Sequence, residues 1–401
     1  MTLKIEKCLL KGEVSAPPSK SDAHRVLICS ALSKESNVNN LADSEDINAT
    51  LGCLKTLGAN TKNTENGLKI GGINPFDIPK NLTLDCNESG STLRFLIPLC
   101  LLAGKKIALK GKGRLMERPL TVYEKICNER GIIFKKNGDT LTLCGKLESG
   151  VFTVDGGVSS QFISGPMYAL PLLSGDSQIK IEGNLESKPY IDMTVETLGR
   201  FGVEIEETDY GYFVKGNQNY SSQNITVEGD WSNAAFLDAF NLLGGSVKVM
   251  GLNENSLQGD KIYKKMYEDL KSGVKKFDLS NCPDLAPVMF ALASALGGAE
   301  FTGTARLKIK ESDRAEAMKE ELSKFGVNVT VEENRVLVSG GTLKTPTEKL
   351  CGHNDHRIVM ALTLLCTLTG GEIEGCEAVN KSFPDFFSKI SALGFVSNEI
   401  R

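Results

Sequence analysis

Apolar positions along the chain fall into two interleaved helical patterns. One is amphipathic and closes on a glycine followed by an apolar residue: L-K-T-L-G-A at Gly58, C-N-E-R-G-I at Gly131, G-R-F-G-V at Gly202, D-L-K-S-G-V at Gly273, S-K-F-G-V at Gly326 and S-A-L-G-F at Gly394. A residue without Cβ is favoured where a helix ends in a left-handed turn before a strand, so these glycines read as helix C-caps. In the fifth copy Ala315, Met318, Leu322 and Phe325 keep helical spacing, while Lys319, Glu320, Glu321 and Lys324 take the other side. The second pattern is apolar nearly all round, as in V-L-I-C-S-A-L, L-R-F-L-I-P-L-C-L-L-A-G and I-V-M-A-L-T-L-L-C-T-L-T-G-G. A helix without a polar face belongs inside a domain. Strand patterns lie between the helices at 82–85, 152–155, 179–182 and 328–331.

Each copy of roughly 70 residues thus predicts one buried helix, one amphipathic helix and several strands. The fold class expected is α/β (α+β), with six units divided into two domains of three. The junction falls near Val227 to Asp230, and the domains expected are residues 19–228 and residues 1–18 with 229–401.

Polar residues concentrate where the buried helices begin: S-K-S-D-A-H-R (19–25), N-E-S-G-S-T-L-R (87–94), D-G-G-V-S-S-Q (155–161), E-G-D-W-S-N (228–233), N-C-P-D (281–284) and N-D-H-R (354–357). The amphipathic helices open similarly, at E-R-P (117–119), S-K-P-Y (187–190), K-E-S-D-R (310–314) and N-K-S-F-P (380–384). Capping explains the serines and aspartates, and Ser19-x-x-Asp22 fits a capping box. It does not explain Lys20, Arg25, Arg94, Arg118, Lys188, Lys310, Arg314, Arg357 and Lys381, because a cation at a helix N-terminus opposes the macrodipole. An anion bound there reverses the sign, since unpaired N–H groups and the positive helix end both favour phosphate or carboxylate. Singly, each has a plainer reading: Arg94 as a partner for Glu88, Lys188 as a solvated side chain, Asp284 as an N-cap. Together they predict a site for polyanionic small molecules between two domains. Among so many cations, Glu311 and Asp284 are candidates to move protons.

Bulk charge narrows the classes further. With 46 basic and 50 acidic residues the chain is mildly acidic, which excludes binding of nucleic acid or anionic membranes through net charge. Eleven cysteines without a C-x-x-C pair argue against a disulfide framework or zinc ribbon and for a reducing cytoplasm, and three histidines leave little for a metal. No apolar run reaches the roughly 18–20 residues of a membrane span. Strand-like alternation from Leu3 and Ile5 leaves no targeting segment ahead of the fold.

The ordered stretches P-S-K-S-D-A-H-R (18–25), S-G-S-T-L-R (89–94), E-R-P, S-S-Q-F (159–162), S-K-P-Y, E-G-D, P-D (283–284), K-E-S-D-R, D-H-R (355–357) and N-K-S-F-P-D (380–385) resemble the 5-enolpyruvylshikimate-3-phosphate synthases, a family of enolpyruvyl transferases, over essentially the whole chain. The resemblance implies two globular domains, each of three βαβαββ units with buried parallel helices in an inside-out α/β barrel, and a cleft between them. It implies transfer of the enolpyruvyl group of phosphoenolpyruvate to the 5-hydroxyl of shikimate 3-phosphate, with release of phosphate and no metal or organic cofactor. Lys20, Ser21, Arg25, Ser159, Ser160, Gln161, Ser187, Tyr190, Asp284 and Lys310 would hold shikimate 3-phosphate, mainly from the 19–228 domain. Lys20, Gly90, Arg118, Gln161, Arg314, Arg357 and Lys381 would hold phosphoenolpyruvate. Asp284 would take the hydroxyl proton and Glu311 supply the methylene proton, with Lys20 and Lys381 assisting. A cytoplasmic monomer, with the two small molecules as its partners, is expected.

Two features depart from the family pattern. The usual G-N-A-G-T loop reads Asn87-Glu88-Ser89-Gly90-Ser91, and Arg306 stands where some members have a neutral residue facing the ligand. Two alternatives carry different functions. A sister enzyme acting on UDP-N-acetylglucosamine usually has a reactive cysteine before its R-P motif, where this chain reads G-R-L-M-E-R-P; Cys100 and Cys127 read as structural helix residues. An inactive repeat scaffold does not account for cations gathered at helix starts.

Overall fold

The computed structural model describes residues 1–400, and its backbone obeys the repeat. All six series glycines have positive φ, from 64° at Gly131 to 109° at Gly58, the conformation in which a side chain is strained. The chain divides into two compact units, Lys20–Glu228 and Met1–Ser19 with everything from Gly229 onward. Ser19 belongs with the latter, where its hydroxyl donates to Gln258 Oε1 at 3.2 Å.

The first unit, Lys20–Glu228, holds α1 (Lys20–Leu32), α2 (Glu45–Thr56), α3 (Gly90–Cys100), α4 (Thr121–Glu129), α5 (Gln161–Ala169) and α6 (Lys188–Arg200). The apolar helices α1, α3 and α5 are the buried ones; in α3 every residue but Ser91 is buried. Three four-stranded sheets share one topology, a parallel pair followed by two antiparallel strands. Their orders are Leu82–Asp85, Ile107–Lys110, Thr140–Cys144, Ile133–Asn137; Val151–Asp155, Ser177–Glu182, Gly211–Val214, Ile205–Thr208; and Asn224–Thr226, Ser36–Asn39, Gly67–Gly71, Asn60–Thr64. Alternation turns Phe152 and Val154 inward and leaves Val151 and Asp155 exposed. The third sheet is completed by the last strand of the unit, so the first copy is finished by the end of its own chain segment. One core runs through the unit, including Leu27, Phe95, Phe162, Tyr168 and Phe201.

The second unit repeats the plan with α7 (Trp231–Leu242), α8 (Tyr263–Lys271), α9 (Ala286–Ala295), α10 (Arg314–Lys324), α11 (His356–Thr369) and α12 (Phe386–Ser391). Lys276–Asp278, Gly298–Thr302, Arg335–Ser339 and Val329–Glu332 form a sheet of the same topology. So do Leu350–Cys351, Gly371–Glu374, Thr2–Ile5 and Ser397–Ile400, the N-terminal strand standing inside the sheet of the last copy. The fourth copy departs from the regular unit: Ser246–Met250 pairs only with Lys11–Ser15, in parallel. After Gly273 the chain runs directly into Lys276–Asp278, without the hairpin that follows Gly58, Gly131, Gly202 and Gly326. Trp231, Phe236, Phe290, Leu362 and Phe386 lie in a separate core. The helices are therefore inside and the sheets remain separate. Among the largest fully buried side chains stands one charged residue, Arg314.

Candidate active site

In the first unit the helix starts are tied together by polar side chains. Lys20 Nζ, at the beginning of α1, meets Asp46 Oδ2 in the first turn of α2 at 2.8 Å. Arg25 is buried over the Phe95 ring and donates from Nη1 to Ser21 O (2.5 Å), from Nη2 to Tyr190 O (2.6 Å) and from Nε to Thr194 Oγ1 (2.9 Å). It therefore joins the start of α1 to the start of α6, and a guanidinium with five N–H groups keeps capacity for an anion after three such bonds. Ser187, which precedes α6, is held in left-handed backbone at φ 58° and is buried.

A second group forms around α3 and α5. Arg94 Nη1 donates to Gln161 Oε1 (2.7 Å), Arg94 Nη2 to Pro119 O (3.2 Å), and Gln161 Nε2 to Ser91 Oγ (2.9 Å). Arg94 thus finds Gln161 and the Pro119 carbonyl as partners. The Arg118 guanidinium lies against Gly90, where an added Cβ would stand 2.7 Å from Nη1. Ser159 Oγ accepts from Gln161 N at 3.3 Å, and Ser160 is buried beside it. The structure therefore gathers Gly90, Ser91, Arg94, Arg118 and Gln161. Glu88 carries its carboxylate over the backbone of Gly113.

Beneath these residues runs a chain of buried hydroxyls. His24 Nδ1 meets Thr50 Oγ1 (2.7 Å), Thr50 meets Thr92 Oγ1 (2.6 Å), and Thr92 donates to Ser89 Oγ (2.7 Å), the N-cap of α3. Burial, then the nearby Lys20 and Arg25, keep the His24 imidazole well below its ordinary pKa, so it is neutral. Lys188 lies apart from this constellation, in surface pairs with Asp192 (2.6 Å) and Glu207 (3.2 Å).

In the second unit one charged network joins the starts of α9, α10 and α11. Asp284 Oδ1 accepts from Arg314 Nη1 (2.7 Å) and Lys310 Nζ (3.2 Å), and Asp284 Oδ2 from Arg357 Nη2 (3.2 Å). Arg314 Nη2 reaches Glu311 Oε2 (2.9 Å) and its Nε reaches Asp355 Oδ2 (2.8 Å). Asp355 is also the N-cap of α11, accepting from Arg357 N at 2.9 Å. Lys381, buried, donates to Asn354 O at 2.6 Å. Lys310, Arg314 and Arg357 face the carboxylates of Asp284, Glu311 and Asp355, and Lys381 meets the Asn354 carbonyl beside Asp355. Charges buried this way gain little stability over apolar packing, so the cluster is better explained by binding than by folding.

Electrostatics follow from the packing. Burial pushes the Asp284 carboxyl up, but Arg357, Lys310 and Arg314 outweigh it and hold the group well below the usual carboxylate range. Burial lowers Lys310 despite Asp284. Arg314 and Arg357 are both raised, their carboxylates overcoming burial. Sequence reasoning missed Asp46, Thr194 and Asp355 as the groups that orient these cations, and Thr50 and Thr92 as the hydroxyls beside neutral His24; of these only Thr92 and Asp355 stand inside the polar stretches at helix starts.

Known proteins resemble the chain along nearly its whole length. The family profile described as EPSP synthase (3-phosphoshikimate 1-carboxyvinyltransferase) matches residues 6–390. The 3-phosphoshikimate 1-carboxyvinyltransferase of Clostridium kluyveri is 42% identical over 420 residues, covering 98% of this chain and 97% of the relative. That of Clostridium acetobutylicum is 42% identical over 423 residues, with the same coverage. An EPSP synthase structure from Acinetobacter baumannii superposes with a TM-score of 0.77 at 21% identity over 99% of both chains, a likeness of fold.

Proposed function

Because the chain belongs to the EPSP synthase (3-phosphoshikimate 1-carboxyvinyltransferase) family, we propose that it transfers the carboxyvinyl group of phosphoenolpyruvate to the 5-hydroxyl of shikimate 3-phosphate and releases phosphate. This is the shikimate-pathway step toward chorismate and the aromatic amino acids. The observation that carries the reading is the cationic cluster around Asp284 and Arg314, whose buried charges have a purpose if anions bind to them.

Shikimate 3-phosphate is assigned to Lys20, Ser21, Arg25, Ser159, Ser160, Gln161, Ser187, Tyr190, Asp284 and Lys310. Phosphoenolpyruvate is assigned to Lys20, Gly90, Arg118 and Gln161 of the first unit and Arg314, Arg357 and Lys381 of the second. Neutralisation by these cations lets two like-charged substrates be held together, and holding them converts a bimolecular addition into a positioned one. In the addition the 5-oxygen bonds to C2, its proton passes to Asp284, and the methylene carbon takes a proton from Glu311. In the elimination the bond from C2 to the phosphate oxygen breaks, phosphate leaves near Lys20 and Lys381, and the methyl group returns its proton. Asp284 is a weak base while three cations surround it; a bound anion that draws Arg314 and Arg357 to itself raises that basicity. No cofactor enters this scheme. The eleven free cysteines suit a reducing cytoplasm, and the protein is assigned there as a monomer. No described helix is long and apolar enough to cross a membrane.

A coupled phosphate-release assay tests the assignment. Release is expected with phosphoenolpyruvate and shikimate 3-phosphate together, and not when UDP-N-acetylglucosamine replaces the latter. Release with the nucleotide sugar, or with neither acceptor, overturns it. Glyphosate, which occupies the phosphoenolpyruvate region in the family, is expected to raise the apparent KM for phosphoenolpyruvate without lowering the limiting rate.

A further inference from the structure

Between the strand Leu350–Cys351 and α11 the chain turns through Gly352, His353 and Asn354. His353 and Asn354 both have left-handed backbone, at φ 48° and 51°, which residues with a Cβ adopt when their surroundings impose it. Two side chains of α10 impose it here. Arg314, the first residue of that helix, binds Asp355 at one end of the corner. Glu321 is seven residues further along α10 and so lies on the same face; it binds the other end. Its Oε2 accepts from Cys351 N at 2.9 Å and its Oε1 meets His353 Nε2 at 3.0 Å. The corner in turn presents two groups to the candidate site: the Asn354 carbonyl, which accepts from Lys381 Nζ at 2.6 Å, and the Asp355 carboxylate, which holds Arg314.

The charged groups that face His353 all come from α10. Glu321 is fully buried, Glu320 Oε2 lies 4.0 Å from Nε2, and Lys324 Nζ bonds both Glu321 oxygens at 2.9 Å. On its own strand side, Cys351 Sγ accepts from His353 N at 3.3 Å. The ligand atoms of Glu320, Glu321 and His353 come within 4.8 Å of one another. With both oxygens of Glu321 already taken by Lys324, this is an ion-pair cluster and not a cation site.

We propose that His353 is a positioning residue for the transfer reaction: its bond to Glu321 holds the corner whose Asn354 carbonyl orients Lys381 and whose Asp355 carboxylate orients Arg314. The proposal rests on the enolpyruvyl-transfer reading above. Its pH dependence follows from the charges. The bond to Glu321, and Glu320 beside it, raise the His353 imidazole above its ordinary value, against burial and Lys324. A raised folded-state value means that the ionic bond is at full strength below the ordinary imidazole value and weakens as pH climbs through the raised one.

The test measures kcat and KM for phosphoenolpyruvate across about pH 6 to 9 in wild type, His353→Ala and His353→Gln. Wild-type kcat is expected to fall on the alkaline side. In His353→Ala, kcat falls roughly tenfold at neutral pH, a typical cost of misplacing one catalytic group. His353→Gln, which keeps a neutral donor to Glu321, recovers most of that rate and lacks the alkaline fall. An active wild type, with His353→Ala and His353→Gln matching it in rate and pH profile, overturns the proposal; should His353→Ala not fold, the profile of His353→Gln decides. NMR titration of the imidazole gives a readout independent of turnover. It is expected to be raised in wild type and to drop toward the ordinary value in Glu321→Gln. Equal values in both remove the clamp even if the enzyme proves active, whereas a wild type that turns over neither substrate defeats the functional reading and leaves the titration to judge the contact.

Discussion

Gly90 and Arg118 show how one missing carbon sets where a guanidinium lies. A Cβ at Gly90 would stand 2.7 Å from Nη1 and 2.9 Å from Cζ of Arg118. The obstructing atoms are the far end of a flexible side chain, so Gly90→Ala costs the fold little but pushes the guanidinium off its position. We expect KM for phosphoenolpyruvate to rise about tenfold while the melting temperature moves by less than about 2 °C. A large thermal loss with unchanged KM would make Arg118 structural instead. Glu311 is a second single-residue case. Its carboxylate contacts Arg314, and Glu311→Gln keeps an acceptor there while removing the transferable proton. Turnover should fall by about a hundredfold or more, with each KM changing far less; equal losses in both would end its role as the acid. Arg118 was legible because a cation at a helix start contradicts local preference, and Glu311 as an acid among such cations; Gly90 came only from the family resemblance. Asp46, Thr50 and Thr194 were not, because each satisfies its own helix without strain and acquires meaning only from a partner far along the chain.

At the scale of elements, the inside-out arrangement depends on buried helices approaching closely. Gly165 in α5 shows the tolerance: a Cβ there would come 2.2 Å from Tyr123 Oη and 2.7 Å from Arg94 O. Tyr123 Oη itself donates to Arg94 O at 2.8 Å, tying α4 to α3 across that gap. The Tyr123 ring is buried and the Arg94 carbonyl is backbone, so neither yields easily. Gly165→Ala should destabilise the protein by about 2–3 kcal/mol, read as a lower urea midpoint at constant slope; an unchanged midpoint would show that α5 shifts freely. The existence and type of these helices could be read from periodicity alone. What periodicity did not reveal was strand exchange. Thr2–Ile5 alternates like any strand, and nothing in it announces pairing with Gly371–Glu374 and Ser397–Ile400. Spacing alone hints that the copy after Gly273 omits a hairpin, since Gly326 follows 53 residues later where the other intervals run from 68 to 73.

For the molecule as a whole, the chain leaves the second unit at Ser19 and returns to it at Gly229, and a buried carboxyl ties the start of the first unit to its end. Asp22 is buried and accepts from Glu228 N at 3.0 Å. Burial pushes its carboxyl up to about 6, in spite of that bond and of Arg200 and Arg25. Its folded value thus exceeds the ordinary 3.8, so its contribution to stability is complete below that value and is lost as pH rises through about 6. Asp22→Asn retains the acceptor without the charge. It should be more stable than wild type by about 1–2 kcal/mol near pH 7.5, and the gain should vanish toward pH 4; paired urea titrations at the two pH values check this, and a pH-independent difference would remove ionisation as the cause. By itself, the order of residues determined that six copies exist, that their apolar helices are buried, that each outer helix stops at a glycine and that cations gather at helix starts. These are demands each stretch makes on its own backbone and solvent exposure. Tertiary structure alone decided which carboxylate meets which cation, which strand completes which sheet, and that His353 stands over Glu321. Most of those pairings join groups tens to hundreds of residues apart, and their free energy exists only once packing has removed the water between them.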